Sequence, residues 1–389
     1  MLEVAAVAAL VSMLFVPPDG DYLGYFDWET LGCLFCVLAV ARALRRIGAF
    51  ERAAKAVIDH ITRIRALVFA IVGVTAVFSM AFTNDVALII MLPLATTVLV
   101  RLGKLRLVPG VFAMQALAAN LCGMITPFGS PQNLYLYSRY QLGLGEFLWT
   151  MGLPFLLSVA GIVIATLVIT RDRGEGDDEA ERSPGQEMEA SEGGEAPSGS
   201  SLGFDSRRAT LYGLLFIVTL LAVFRILPFW VAVVVVALVI AASDARALRE
   251  MDYALLGTFV CFFVFAGNMS RIPALGDALG PLMDQWGLLV SALTSQVISN
   301  VPAAVILSHF TEAWQPLLVG VNVGGAGTFV GSLASLIVIR YFMQAKRTYP
   351  PMQAPDAPRM REFLVRFGII NMAFFIGLLV VCQLTMVVG

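Results

Sequence analysis

Charge is scarce in this chain. Asp, Glu, Lys and Arg together make up 14% of its 389 residues, against 58% hydrophobic residues, and the mean hydropathy is +0.82. Soluble domains carry roughly twice that share of charge. With so little of it the chain cannot clothe a water-facing surface, so a soluble globular fold is excluded and an integral membrane protein is left. The charge that exists is also unevenly spread. Residues 171–208 hold 11 of the 28 acidic side chains and 5 of the 26 basic ones, so the remainder of the chain is net positive. The net charge of −2 and the pI of about 5.8 come from that one segment, and no nucleic-acid partner is implied.

Cysteine and histidine are equally sparse. Cys33, Cys36, Cys122, Cys261 and Cys382 all lie in apolar runs, where a free thiol packs as a small hydrophobe, so a disulfide scaffold is excluded. Cys33 and Cys36 spell a CxxC with no second pair and no nearby histidine to complete a metal site. No HExxH, no paired aspartates within spans and no recognisable Ser/His pair occurs, which leaves an intramembrane protease without its chemistry. The first apolar run, 5–16, lacks a basic leader and a small-residue cleavage site and reads as a retained helix.

What is present begins with a division. The segment 171–208 is rich in Glu, Gly, Ser and Pro and cannot bury enough surface to fold, so it reads as a disordered acidic linker between halves 1–170 and 209–389. The halves share three blocks in the same order. Asp27, Gly32 and Arg46 match Asp252, Gly257 and Arg271. Ser79, Thr83, Asn84 and Ala87 match Ser295, Ser299, Asn300 and Ala303. Asn120, Gly123, Thr126, Gly129 and Ser130 match Asn322, Gly325, Thr328, Gly331 and Ser332. The matches are mostly small and polar, which shared lipid exposure would not produce.

Basic loops stay cytoplasmic, and residues 42–65 carry Arg42, Arg45, Arg46, Arg52, Lys55, Arg63 and Arg65. Arg101, Lys104 and Arg106 follow the next apolar stretch, so 66–100 begins and ends on the same side. Its arms of about 15–17 residues fall short of the ~20 a span needs, which predicts a re-entrant hairpin, with two tight spans as the alternative. Carrying the sides forward gives a cytoplasmic linker, a second hairpin over 287–312 entering from the opposite side, and nine spans in all. The fold class expected is an all-α polytopic membrane protein of two inverted-topology repeats, each with a re-entrant hairpin and a broken transmembrane helix, over 107–138 and 315–340.

The breaks carry the chemistry. TPFGSPQN puts Pro127, Gly129 and Pro131 into a helix that should cross hydrocarbon, and proline there removes a donor and clashes with the preceding turn. The alternative is a simple proline kink. Irregular backbone survives at that depth where it lines a cavity, exposing amides that favour an anion and carbonyls that favour a small cation. VGGAGTFVGS interrupts the second half with glycines.

TNDVALIIMLP at a hairpin tip, TPFGSPQN in a broken helix and a second tip reading SNVPA resemble the ion transporter superfamily, which includes divalent anion/sodium symporters and arsenite and citrate permeases. The resemblance spans both halves. It implies a multi-pass protein of the cytoplasmic membrane, a homodimer, carrying a small anion by elevator-type movement with Na+ or H+ as coupling ion and no resident cofactor. It also implies two half-sites. Thr83, Asn84 and Asp85 with Ser130 and Asn133, and Ser299 and Asn300 with Thr328 and Ser332, would bind substrate. Thr83, Asn84, Thr126, Gly129 and Asn133, and Ser299, Asn300, Gly327 and Gly331, would hold sodium. The symporter branch carries Ser-Asn-Thr at both tips and proline in both loops; here the tips read Thr-Asn-Asp and Ser-Asn-Val and the second loop has no proline, so at most one well-formed sodium site is expected. Asp after Asn is similar to the arsenite permease branch and brings proton coupling into play. A sodium/proton antiporter on the same fold is the other alternative.

Asp85 is the one carboxyl clearly placed in the core. A carboxylate there costs ~2.5–3.5 kcal/mol and usually faces a cavity or partner; the competing reading is a cap for the second hairpin arm. His309 and Glu312 either share a proton or sit at the outer interface, and Arg139 is an aromatic-belt anchor or an anion ligand. Gln115 and Asn268 read as interhelical hydrogen-bond partners.

Overall fold

The computed structural model describes residues 2–171, 205–355 and 357–388. Sixteen α-helices make up its frame: α1 (Leu2–Phe15), α2 (Trp28–Arg46), α3 (Ala49–Ile58), α4 (Ile64–Ala81), α5 (Asn84–Arg101), α6 (Val108–Leu117), α7 (Pro131–Arg139), α8 (Leu144–Arg171), α9 (Ser206–Val223), α10 (Phe229–Arg249), α11 (Tyr253–Ser270), α12 (Pro273–Ile298), α13 (Asn300–Leu307), α14 (Trp314–Val323), α15 (Leu333–Thr348) and α16 (Met360–Val388). The acidic linker lies outside the described residues except at its ends, and those are helical rather than linker: Arg171 closes α8, and Asp205 caps α9 through the amides of Arg207 and Arg208.

The first repeated block takes on a definite job. Asp27 caps α2 by accepting from the Thr30 amide, and Asp252 caps α11 from the Leu255 amide, satisfying donors that a helix start leaves free. The helices that precede the matched pair are exchanged: α10 packs on α2, and α1 packs on α11. Gly32 and Gly257 are the contact points. A Cβ at Gly32 would lie 2.7 Å from the Phe229 ring of α10, and one at Gly257 3.1 Å from Leu2 of α1. The matched arginines complete the exchange. Arg46 meets Asp244 at 2.7 Å and Glu250 at 2.6 Å, next to α10's end, while Arg271 meets Asp19 at 2.7 Å, after α1. Arg42 joins the first cluster at 2.6 Å from Glu250, and the two guanidinium groups hold that carboxyl below the ordinary glutamate range.

Among the described residues eight helical stretches are long and apolar enough to cross a membrane, where nine spans were expected; both arms of the first hairpin are among the eight. The arms are longer than the about 15–17 residues counted from the sequence. Each runs to 18 residues, about 27 Å of helix, because the interfacial residues Ile64, Arg65 and Arg101 are drawn into the helix ends. Length alone therefore lets each arm cross, and the tip is tied to the interior by its contacts instead. The second hairpin is shorter: α12 loses helical geometry at Trp286, leaving 287–298 as the descending arm, and α13 returns for 8 residues, ending at Leu307 rather than 312.

Both helices read as broken are broken. Downstream of α6 the chain makes a π-helical turn over Ala118–Cys122, leaves helical geometry, and restarts at Pro131 as α7, so Pro131 opens a helix where its missing N–H costs nothing. In the second half α14 stops at Val323 and α15 restarts at Leu333, with Gly327 at φ +105°, a conformation that glycine alone adopts freely.

Candidate functional site

A helix start leaves amides without acceptors, and a broken helix leaves carbonyls without donors. The two hairpin tips and the two broken loops satisfy each other. The Asn84 amide donates to Gly129 O at 3.2 Å, and the Asn300 amide to Gly331 O at 3.0 Å. The Thr126 hydroxyl donates to Met80 O at 2.8 Å, and the matched Thr328 hydroxyl to Gln296 O at 3.0 Å. Matched residues thus make matched contacts.

Two asparagines then stitch the halves together. Asn120 Oδ1 accepts from Asn84 Nδ2 at 3.1 Å and from Ser332 Oγ at 2.8 Å, and its Nδ2 donates to Gly325 O at 3.1 Å. Asn322 Nδ2 donates to Asn133 Oδ1 at 2.6 Å, and its Oδ1 accepts from Gln132 at 3.4 Å. Each belongs to one half and reaches into the loop of the other. Sequence reasoning matched Asn120 with Asn322 as a repeat pair but gave neither a role in the site. An identical amide just before each break, in an otherwise apolar helix, was the available signal.

Asn133 is fully buried, and its Nδ2 donates to Met124 O at 3.1 Å and Thr126 O at 3.3 Å, so its amide braces the loop. Thr83 Oγ1 accepts from the Val86 amide at 3.4 Å and is the cap of α5. That answers the capping alternative for Asp85, which sits inside the first turn, its Oδ1 buried without a partner.

Gly129 lies at the centre of an oxygen-lined cradle. A Cβ built there would press against Gly123 O, at 2.5 Å from Thr126 Oγ1 and 2.9 Å from Ser79 O. The three nearest atoms are all oxygens, so the backbone packs too closely here for any residue but glycine. Thr126 and Gly129 were expected here; Ser79 and Gly123 contribute backbone carbonyls that no side-chain pattern announces.

Beside the cradle, Ser130 Oγ and Gln132 Oε1 are buried without partners. Ser332, the match of Ser130, is spent on Asn120 and on the Ala334 amide at 3.2 Å. A buried polar atom left unpaired costs about 1–3 kcal/mol, and a bound ion is one way such a group is satisfied. Gln132 belongs with the expected residues for this reason.

Ser299 adds strain. Its backbone is at φ +78°, ψ 155°, a region populated almost only by glycine and worth roughly 1–3 kcal/mol in a side-chain-bearing residue. Its match, Thr83, sits at an ordinary φ of −121°. Ser299→Gly is expected to raise the thermal midpoint of the purified protein while lowering its transport rate. A stabilised variant with full transport would show that the Ser299 hydroxyl has no part in the site.

The remaining candidates separate cleanly. Gln115 donates to Thr75 Oγ1 at 3.2 Å, and Asn268 to Ser12 Oγ at 2.9 Å, both between helices. His309 Nδ1 lies 2.9 Å from Val305 O rather than on Glu312. Arg139 and His309 line a cavity of about 390 Å³ with Tyr25, Asp27, Tyr135 and Ser138, away from the tips.

Comparison with known proteins agrees with this architecture. The family model of citrate transporters matches residues 1–326. The inner membrane protein YbiR of Escherichia coli K12 is 30% identical over 317 residues, 81% of this chain and 80% of that protein. An uncharacterised transporter of Methanocaldococcus jannaschii is 28% identical over 340 residues, 86% of this chain and 87% of that protein. Among solved structures, the YdaH transporter of Alcanivorax borkumensis, reported to have an unusual topology, matches with a TM-score of 0.54 over 97% of this chain and 89% of that one, at 15% identity, a likeness of fold. The resemblance to the ion transporter superfamily holds, and the protein is a multi-pass membrane transporter rather than an enzyme. With five-sixths of its length covered by the family model, the chain belongs to the citrate transporter family.

Proposed function

We propose that the protein is a secondary transporter of a small anion, a carboxylate or an inorganic oxyanion, coupled to a cation and working in the cytoplasmic membrane as an elevator-type homodimer. The observation that carries this is the pairing of an oxygen cradle at Gly129 with unpaired Ser130 and Gln132 beside it. The carbonyls of Ser79 and Gly123 and the Thr126 hydroxyl, which converge beside Gly129, are the groups that would hold Na+. The anion would lie between the tips, taking hydrogen bonds from Asn84, Ser130, Ser299 and Asn300, with Thr83, Asn133, Thr328, Ser332 and the Gly327 and Gly331 backbone shaping its surroundings. Bonds from Asn120 and Asn322 across the halves favour movement of tips and loops as one body. Uptake by purified protein in liposomes, with a panel of carboxylates and oxyanions under separate Na+ and H+ gradients, tests the reading. Failure of every anion under both gradients would reject it.

The Asp85 carboxyl, whose Oδ1 is buried without a partner, supports a second reading, a proton-coupled permease of the arsenite type or a sodium/proton antiporter. Asp85→Asn keeps the shape and removes the charge. The variant is expected to lose rate together with either its pH dependence or part of its sodium affinity; unchanged rate with both dependences intact would assign Asp85 a structural role.

A further inference from the structure

The helices fall into two groups by packing. α2 lies against α9 and α10, α1 lies against α11, and α2 also reaches α11, which makes a frame; the hairpins, the broken helices, α8 and α16 pack on one another as a carrier. Between the two, α2 packs on α7 and α11 packs on α13. The repeat gives each of these a counterpart. Since α11 matches α2 and α15 matches α7, the counterpart of α2 on α7 is α11 on α15; that of α11 on α13 is α2 on α5. Among the described residues neither counterpart packs to a comparable extent. α9, which lies outside the repeated blocks, adds ring contacts of Phe216 with Phe82 and Phe128.

Taking the basic loops as cytoplasmic, α7 and α13 lead outwards from the breaks and tips, while α5 and α15 lead inwards to Arg101 and to Lys346 and Arg347. Of the matched contacts, then, only the outer ones are made. Polar bonds secure them. Ser138 Oγ of α7 donates to Asp27 Oδ1 at 3.1 Å. Arg225, between α9 and α10, donates to Glu29 Oε1 at 2.9 Å within the frame and crosses to the carrier, donating to Tyr137 O at 2.7 Å and Leu142 O at 3.2 Å.

On the cytoplasmic side the matching groups stand apart. Continued without a gap, the alignment that pairs Ser130 with Ser332 pairs Ser138 with Arg340, and Asp27 is matched by Asp252. Both Arg340 and Asp252 are exposed, and among the described residues Arg340 has no hydrogen bond or ion pair. Arg340 lies eight residues beyond Ser332, about 12 Å along its helix and within the hydrocarbon half-thickness of about 15 Å. A charge at that depth is costly without water or a partner.

We propose that the two sets of contacts exchange: in the state open to the other side, Ser138 and Arg225 release each other's group, and Arg340 pairs with Asp252 at the cytoplasmic end of α11. This rests on the movement of tips and loops as one body given above. Asp252 now stands within electrostatic reach of Asp85 at the first tip, and Asn120 holds Asn84 and Ser332 at one level, so bringing Arg340 to Asp252 moves the carrier by on the order of 12 Å. Each closed side then has one guanidinium bridging frame and carrier, which keeps the two states close in free energy.

Disulfide trapping in liposomes tests the exchange. In the double variant Asp252→Cys, Arg340→Cys, mild oxidation is expected to link the two residues and stop uptake, and reduction to restore it; mass spectrometry identifies the linked peptides, and Arg340→Cys alone controls for the native thiols. Adding Arg225→Ala frees the outer side and is expected to speed linking several-fold, with Ser138→Ala doing the same to a smaller extent. Charge exchange gives a second measure without new thiols. Arg340→Asp and Asp252→Arg are each expected to slow uptake several-fold, and the double variant to return to within about 2-fold of wild type, as coupled partners do. A folded double-cysteine protein that never links overturns the inference, as does a link that leaves uptake intact. Linking that Arg225→Ala makes no faster also overturns it, because the two sets of contacts are then not alternatives, and so does a folded charge-exchanged protein no faster than its slower parent. Linking is read without substrate, so it decides the inference even where no anion is taken up and the transport reading itself falls.

Discussion

Alanine at Asn84 or at Asn300 is expected to cut uptake by about 5- to 150-fold, the range that follows from losing one buried hydrogen-bonding group worth about 1–3 kcal/mol. These are the only polar side chains identical at both tips. Their backbone amides, docked on Gly129 O and Gly331 O, survive the substitution, so the tips stay seated. What goes at Asn84 is the link to Asn120 and the bond that its own Oδ1 accepts from the Asp85 amide. Asn120 Oδ1 keeps Ser332 as a donor, which limits the structural damage. At Asn300 the side chain receives only a long 3.4 Å contact from Ser299 Oγ, so even less of the fold depends on it. Rates of uptake set against thermal midpoints in detergent separate the two effects. Near-normal uptake by both variants would remove the tips from the site.

The largest loss of stability is expected at Asp244. Arg46 and Asp244 are each 6% exposed, whereas Arg271 and Asp19, the matching pair, are 36% and 40% exposed. Removing one member of a buried pair strands the other charge and costs about 3–5 kcal/mol, while exposed pairs contribute little. Glu250, at 2.6 Å from Arg46, retains part of the compensation, which places Asp244→Ala at about 3 kcal/mol. Asp19→Ala is expected to leave the midpoint where it is. The double variant Arg46→Met, Asp244→Leu removes both charges and is expected to recover most of the loss, since a buried pair replaced by apolar groups is often neutral. Similar midpoints for Asp244→Ala and Asp19→Ala would show that burial does not set the difference.

Much of this arrangement is legible in the sequence because repeated side chains do repeated jobs. Asp27 and Asp252 cap, Gly32 and Gly257 admit a neighbour, and Arg46 and Arg271 reach an acid in or beside the exchanged helix of the other half. The breaks announce themselves through proline and glycine. The rest stays hidden for two reasons. The cradle at Gly129 is built largely from the backbone carbonyls of Ser79 and Gly123, and every residue has a carbonyl. The amides that knit the loops act over long separations, 205 residues for Asn120 and Gly325, where local pattern carries no information. Hairpin length fails for a third reason: counting apolar residues omits the basic ones at the membrane face that still continue the helix, as Arg65 and Arg101 do.

The exchange of helices between the halves also bears on how the chain comes to be built. When α2 has been synthesised and inserted, the notch over Gly32 and the charge of Arg46 await α10, whose Phe229 and Asp244 are encoded about 200 residues later. At ≈ 5–20 residues per second of synthesis, the first half waits on the order of 10–40 s as an unfinished surface in the lipid. During that interval α1 lacks its partner α11 as well. The order of synthesis therefore makes α10 and α11 of the second half the helices that lock α2 and α1 of the first.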